Sequence, residues 1–115
     1  MALHHASPGE VVDLGLPANS SAQTPDQPGT RAIVKTDRFE AIRLVLAQGE
    51  SIPAHEVASE ITLHCLEGAV SVSLADQTLA LRAGQWVYLD ENSVHGINTD
   101  TDAVLLMTIM LPIAG

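Results

Sequence analysis

The chain has one cysteine, Cys65, so no disulfide can form within it. That fits a reducing compartment, and the expected location is the cytoplasm. Aromatic residues are nearly as scarce. Phe39, Trp86 and Tyr88 are the only three, too few for a platform on which bases stack. Five basic residues (Arg31, Lys35, Arg38, Arg43 and Arg82) face fourteen carboxylates, a formal net charge of −9. Such a surface repels a phosphate backbone and an anionic lipid surface alike. Neither nucleic acid nor membrane is an expected partner. The longest apolar run, Ala103 to Leu111 with Thr108 inside it, is far too short to cross a bilayer as a helix. No basic stretch leads into an apolar one at the N-terminus, so no signal peptide is expected. Gly-x-Ser-x-Gly, Cys-x-x-Cys and a phosphate-cradling glycine loop are all missing, which excludes their usual chemistries.

What remains is ordinary globular material. Of 115 residues, 46% are hydrophobic, and a domain of this length buries roughly two-thirds of its unfolded surface. The first 30 residues differ from the rest. Four of the six prolines (Pro8, Pro17, Pro25, Pro28) fall there among polar residues, which rules out a long helix. Residues 1–30 are expected to form an extended arm. Val11, Val12, Leu14 and Leu16 would dock it on a sheet edge or a partner subunit.

From Ala32 onward the pattern is one of short strands. Ala32 to Lys35 and Phe39 to Leu46 are β-rich and separated by Thr36-Asp37. Val70, Val72 and Leu74 alternate with Ser71 and Ser73, and Leu79 and Leu81 resume the alternation after Asp76-Gln77. Gln85 to Leu89, His95 to Ile97 and Val104 to Leu111 follow, with no sustained helical period anywhere. Many short strands with regular turns predict an all-β sandwich or barrel over residues 31–115. The last strand is apolar on both faces, and alternate side chains point oppositely. One face meets the interior and the other needs cover, so a homodimer is expected.

Two segments carry more specific information. The first is Gly49-Glu-Ser-Ile-Pro-Ala-His55-Glu-Val57-Ala-Ser-Glu60-Ile61-Thr-Leu63-His64-Cys-Leu-Glu-Gly68. The second is Gly84-Gln-Trp-Val-Tyr-Leu-Asp90-Glu-Asn92-Ser-Val-His95-Gly-Ile-Asn98. In order and spacing they resemble the two motifs of the cupin superfamily, with Gly49, His55, Gly68, Gly84 and His95 in register. The resemblance spans residues 31 to 112. It implies a cupin-type double-stranded β-helix, or jelly-roll barrel, of the RmlC-like kind.

The resemblance also implies where a metal would sit, and here the chain departs from the pattern. Family sites use three histidines and one glutamate. Val57 stands at the second histidine position and Ile61 at the glutamate position. Asp90 and Asn92 replace a proline and a glycine, and Asn98 comes one residue early. Only His55 and His95 carry over as ligands, short of the three or four protein donors that Fe, Mn, Ni or Zn take. Glu60 and His64 are neighbours that strand parity places on the opposite face from Ile61, Leu63 and Cys65. A β-bulge would be needed to turn either inward.

Plainer roles fit the other candidates. His64 reads as a surface or interface residue and Cys65 as inert core, since a reactive thiolate wants a basic setting. His4 and His5 lie near a loose terminus. Trp86 and Tyr88 share a face, as core or as one wall of a pocket. Three functional readings follow. The first is a small-molecule-binding barrel with a mainly apolar pocket of His55, Val57, Ile61, Leu63 and His95. The second is a metal-dependent oxygenase or isomerase with His55 and His95 as ligands. The third is metal-free acid–base catalysis of epimerase or isomerase type, with a histidine as base and Tyr88 as acid.

Overall fold

A computed structural model of the protein describes residues 5–14 and 30–111. Among these residues all regular structure is β. The strands are β1 (Arg31–Lys35), β2 (Phe39–Leu46), β3 (Ser51–Val57), β4 (Ile61–Glu67), β5 (Ala69–Leu74), β6 (Thr78–Arg82), β7 (Trp86–Leu89), β8 (Ser93–Asn98) and β9 (Ala103–Met110). They form two antiparallel sheets, one ordered β1-β2-β9-β4-β7 and the other β3-β8-β5-β6. Beyond the β1–β2 hairpin, each pair in the first sheet joins sequence-distant strands, such as β2 and β9, which is the mark of a jelly roll rather than a meander. No helix among the described residues is long and apolar enough to cross a membrane.

Alternation explains the interior. From β2 come Leu44 and Leu46, from β4 Ile61, Leu63 and Cys65, and from β9 Ala103 and Leu105. The second sheet answers with Val70 and Val72 of β5, Leu81 of β6 and Ile97 of β8. Ile61 is 2% exposed and Leu63 0%. Fully burying such side chains contributes about 1.5–3 kcal/mol each. As expected of a strand apolar on both sides, β9 sends Leu105 inward and Leu106 outward.

Turn chemistry sets the strand limits. The Gln85 N–H donates to the Arg82 carbonyl, closing the turn so that β7 begins at Trp86. Asn92 occupies the turn before β8 with φ of 62°, a left-handed conformation that asparagine tolerates better than most residues. That explains how it replaces a glycine. Strand β8 starts at Ser93, two residues before the expected His95.

Part of the expected arm is described. The Ala6 N–H donates to the Ile33 carbonyl at 2.7 Å, laying the arm on β1, the edge of the larger sheet. Val12 and Leu14 are half-buried, whereas Val11 is exposed. Leu16 and His4 lie outside the described residues.

Two glycines mark close approaches between strands. A Cβ on Gly96 of β8 would lie 2.8 Å from the Ala54 nitrogen and 2.9 Å from the Ile52 oxygen. One on Gly68 would meet the Asp102 carbonyl oxygen at 2.2 Å. Both obstacles are backbone and cannot swing aside. Gly96→Ala and Gly68→Ala are each expected to lose about 3 kcal/mol in urea unfolding, against about 1 kcal/mol for Gly49→Ala, where a Cβ meets only open space.

Candidate functional site

The two histidines of the sequence motifs face each other. His55 on β3 is the register partner of His95 on β8, and their ring centroids lie 5.5 Å apart with planes inclined by 44°. Leu74 flanks His95 on its other side, from β5. Parity puts the pair on the side of β3 and β8 from which Ile97, Val57 and the neighbouring Leu74 pack on the core, with His95 buried there and His55 at its exposed margin.

Strand periodicity alone does not turn His55 inward. Ile52 also packs on the core, and three residues separate it from His55, which would put the two on opposite faces. The register runs Ile52↔Ile97 and His55↔His95, so β3 carries one residue more than β8 in that interval. This β-bulge at Pro53-Ala54 restores the phase. Proline is tolerated there because β3 is an edge strand, and Gly96 makes room for the displaced backbone. The proline inside the strand and the glycine after His95 were the available sequence signals.

The two rings are held differently. His55 is exposed, and its Nδ1 lies 3.0 Å from the Pro53 carbonyl. A carbonyl only accepts, so Nδ1 carries the hydrogen and Nε2 keeps the lone pair in the neutral ring. His95 is 4% exposed. Its buried Nδ1 has no hydrogen bond of ordinary geometry, although the Ser93 carbonyl favours the charged ring. Burial and then the neighbouring His55 outweigh that and hold the His95 pKa below the ordinary 6.5. At neutral pH His95 is an uncharged ring able both to donate and to accept.

The rest of the expected pocket is more deeply placed. Ile61 and Leu63 belong to the central core and Val57 packs at its margin. Glu60 and His64 stay off the inner face. The bulge in β4 falls between Cys65 and Glu67, beyond both of them. Glu60 is exposed and accepts a hydrogen bond from the Tyr88 hydroxyl, while His64 stands opposite Trp86 on the outer face. Among the described residues no three His, Cys, Asp or Glu side chains converge as a metal would require. Two imidazoles do not fit the three- or four-donor set of a protein metal site.

Tyr88 departs from the acid–base reading. It lies on the outer face of the larger sheet, 47% exposed, turned from the histidines by the parity that directs Leu89 inward. Hydrogen bonding to the Glu60 carboxylate, with Asp90 close by, pushes its pKa well up. It is not placed to protonate anything inside the barrel. Trp86, 58% exposed, is likewise not core. It borders a groove of about 360 Å³ with Val72, Leu79 and Leu81, at the open side between β6 and β7. Cys65 is fully buried and its thiol pKa is raised by that burial, so it stays protonated and inert.

Comparison with known proteins bears on the barrel as a whole. The family profile described as "Cupin domain" matches residues 42–110. No curated protein matches the chain. Among solved structures, a cupin superfamily protein from Desulfitobacterium hafniense is similar with a TM-score of 0.69 at 19% identity, over 72% of this chain and 76% of that one. A conserved protein of unknown function from Streptococcus pyogenes gives 0.75 at 16% identity, over 99% and 100%. The polyketide cyclase RemF from Streptomyces resistomycificus gives 0.67 at 20% identity, over 75% and 66%. At such identities the likeness is one of fold.

The depressed pKa of His95 has a consequence for stability. The folded state resists a proton that the unfolded state accepts near pH 6.5. The contribution is therefore complete above that pH and is lost as pH falls through the lower folded value. Urea unfolding between about pH 7.5 and 5, above the carboxylate range, should show falling stability in the wild type and a flatter profile in His95→Gln. Equal slopes in both would contradict the assignment.

Proposed function

The chain belongs to the cupin family, and from that premise we propose that it binds a small organic molecule in the barrel, anchored by His55 and His95. One observation carries this reading. The register of β3 and β8 sets two imidazoles 5.5 Å apart, His95 buried and His55 exposed beside it. A mainly apolar surface with a few convergent polar groups is the usual make-up of a small-molecule site.

The chemistry of the pair narrows the ligand. Neutral His95 and the outward-exposed His55 together offer a donor and an acceptor within a few ångströms, which suits adjoining hydroxyl and carbonyl groups. A formal charge of −9 disfavours polyanions. Burying an imidazole costs about 1–3 kcal/mol when its hydrogen bonds go unmade. A ligand that satisfies His95 recovers part of that cost.

Binding in this reading does not run through a metal, because the donor set is short. The neighbours supply no further direction, as they include proteins of unknown function as well as a cyclase. Whether turnover follows binding depends on a proton acceptor, and His55 and His95 are the groups positioned for it.

Purified full-length protein should contain iron, manganese, nickel and zinc well below stoichiometry, and its melting temperature should not move with EDTA. In a ligand-observed NMR screen of hydroxy-carbonyl compounds, hits should lose roughly ten- to hundredfold affinity in His55→Ala and in His95→Ala. Stoichiometric metal that disappears from both variants would replace this reading with the metal-dependent one.

A further inference from the structure

The inner face of the larger sheet carries a carboxylate. Strand β2 pairs with β9 without a register break from Phe39 to Leu46, so Glu40, Ile42, Leu44 and Leu46 share one face and Phe39, Ala41 and Arg43 the other. Leu44 and Leu46 belong to the core, and Ile109, the register partner of Glu40, packs against it. Glu40 is therefore on the inner face, at the head of a row that continues through Ile109, Ile61 and Leu89. It is half-buried.

Exposure along these strands shows which end of the barrel is open. On β2 the inward positions pass from buried at Leu46 and Leu44 to half-buried at Ile42 and Glu40. On β9 they pass from buried at Ala103 and Leu105 to half-buried at Met107 and Ile109. The histidine pair stands at the same end. Val57 and Ser93 close the β3–β8 ladder two residues beyond His55 and His95, and the Asn92 N–H donates to the Val57 carbonyl there. Residues 58–60 then lead from Val57 into Ile61, in the row of Glu40. Glu40 and the two imidazoles thus lie at one opening, on different sheets.

The turns around that opening are acidic. Residues 36–38, 58–60, 75–77 and 90–92 hold Asp37, Glu60, Asp76, Asp90 and Glu91 against Arg38 alone. Lys35 stands opposite Glu40 on β1 and is exposed. A rim dominated by one sign of charge concentrates the opposite charge at a cleft.

We propose that the ligand of this site is a small organic cation, a protonated amine that also carries a hydroxyl or carbonyl, with Glu40 selecting its charge and His95 its neutral polar group. The proposal rests on the reading of the histidine end as a binding site and names the class of molecule taken there. Acidic turns by themselves are ordinary solvated surface. Two further features single out this end. Glu40 lies inward beside aliphatic side chains, and a carboxylate partly withdrawn from water gains more from an ammonium than an exposed one does. His95 is 4% exposed, and its Nδ1 has no hydrogen bond of ordinary geometry. Such a buried polar atom calls for a partner, which a ligand's hydroxyl or carbonyl supplies.

The same geometry favours an organic cation over a metal ion. A metal needs its donors within about 2 Å of one point, and among the described residues no three His, Cys, Asp or Glu side chains meet that demand. An amino alcohol or amino carbonyl compound spans several ångströms, so its ammonium and its oxygen reach separate protein groups.

Ligand-observed NMR titration of the full chain with a matched set tests the proposal. The probes are 2-amino-1-phenylethanol, 1-phenyl-1,2-ethanediol and mandelate, which share a ring and a hydroxyl and differ in charge, together with the corresponding alkyl series. The amine should bind about tenfold more tightly than the diol, and mandelate most weakly. Glu40→Gln should abolish the advantage of the amine while leaving the diol within about twofold, and Glu40→Lys should turn the preference towards mandelate. Glu56→Gln, next to His55 but on the opposite face of β3, should keep the wild-type order. His95→Ala should weaken amine and diol alike. Equal affinity of the wild type for amine and diol, or an amine preference that survives Glu40→Gln, overturns the proposal. If His95→Ala still weakens both in that case, the histidine site itself stands. Failure of every probe to bind the wild type, or binding indifferent to His95→Ala, overturns the site reading as well.

Discussion

One extra residue in β3 governs the inner face of this barrel. The bulge at Pro53-Ala54 lets Ile52 pack on the core and still sets His55 opposite His95, although simple alternation would separate them. It exists because β3 is an edge strand that can hold a proline, and because Gly96 leaves space for the displaced backbone. Without the bulge, alternation would carry the His55 ring to the opposite face of β3, away from the buried His95. The pairing of the two rings and the ligand reading rest on that local backbone fit, whereas the lowered pKa of His95 comes first from its burial.

The same sheet architecture sorts the remaining chemistry into two compartments. Inward go the aliphatic side chains and His95, with His55 at the exposed margin beside it. Outward go the aromatics, His64 and the Tyr88–Glu60 pair. The metal set implied by the family motifs therefore fails on both counts. Val57 and Ile61 occupy two of its positions with side chains that cannot coordinate, and Glu60 and His64 are committed to the other side. An apolar interior with two imidazole donors falls short of a protein metal site.

Much of the fold was legible in the sequence because alternation reports burial directly. Val70, Val72 and Leu74, or Ile61, Leu63 and Cys65, declare an inner face wherever they sit. The spacing of Gly49, His55, Gly68, Gly84 and His95 carried the family. Trp86 and Tyr88 were harder. Large aromatic side chains usually signal core, and nothing local shows that Val87 and Leu89 take the inward positions instead. Casting Tyr88 as an internal acid followed from that ambiguity.

By itself the sequence determined an all-β chain, the boundaries of most strands to within a residue or two though not those of β3 and β4, the acidic surface and the two histidines worth watching. These are properties of short windows, where periodicity and turn residues act over a few positions. Only the tertiary structure decided that His55 and His95 are partners 5.5 Å apart, that β2 and β9 lie side by side, and that every aromatic ring shares one outer surface. Those outcomes depend on contacts between residues tens of positions apart and on a one-residue register shift, which Pro53 and Gly96 mark locally but whose partner strand they do not name.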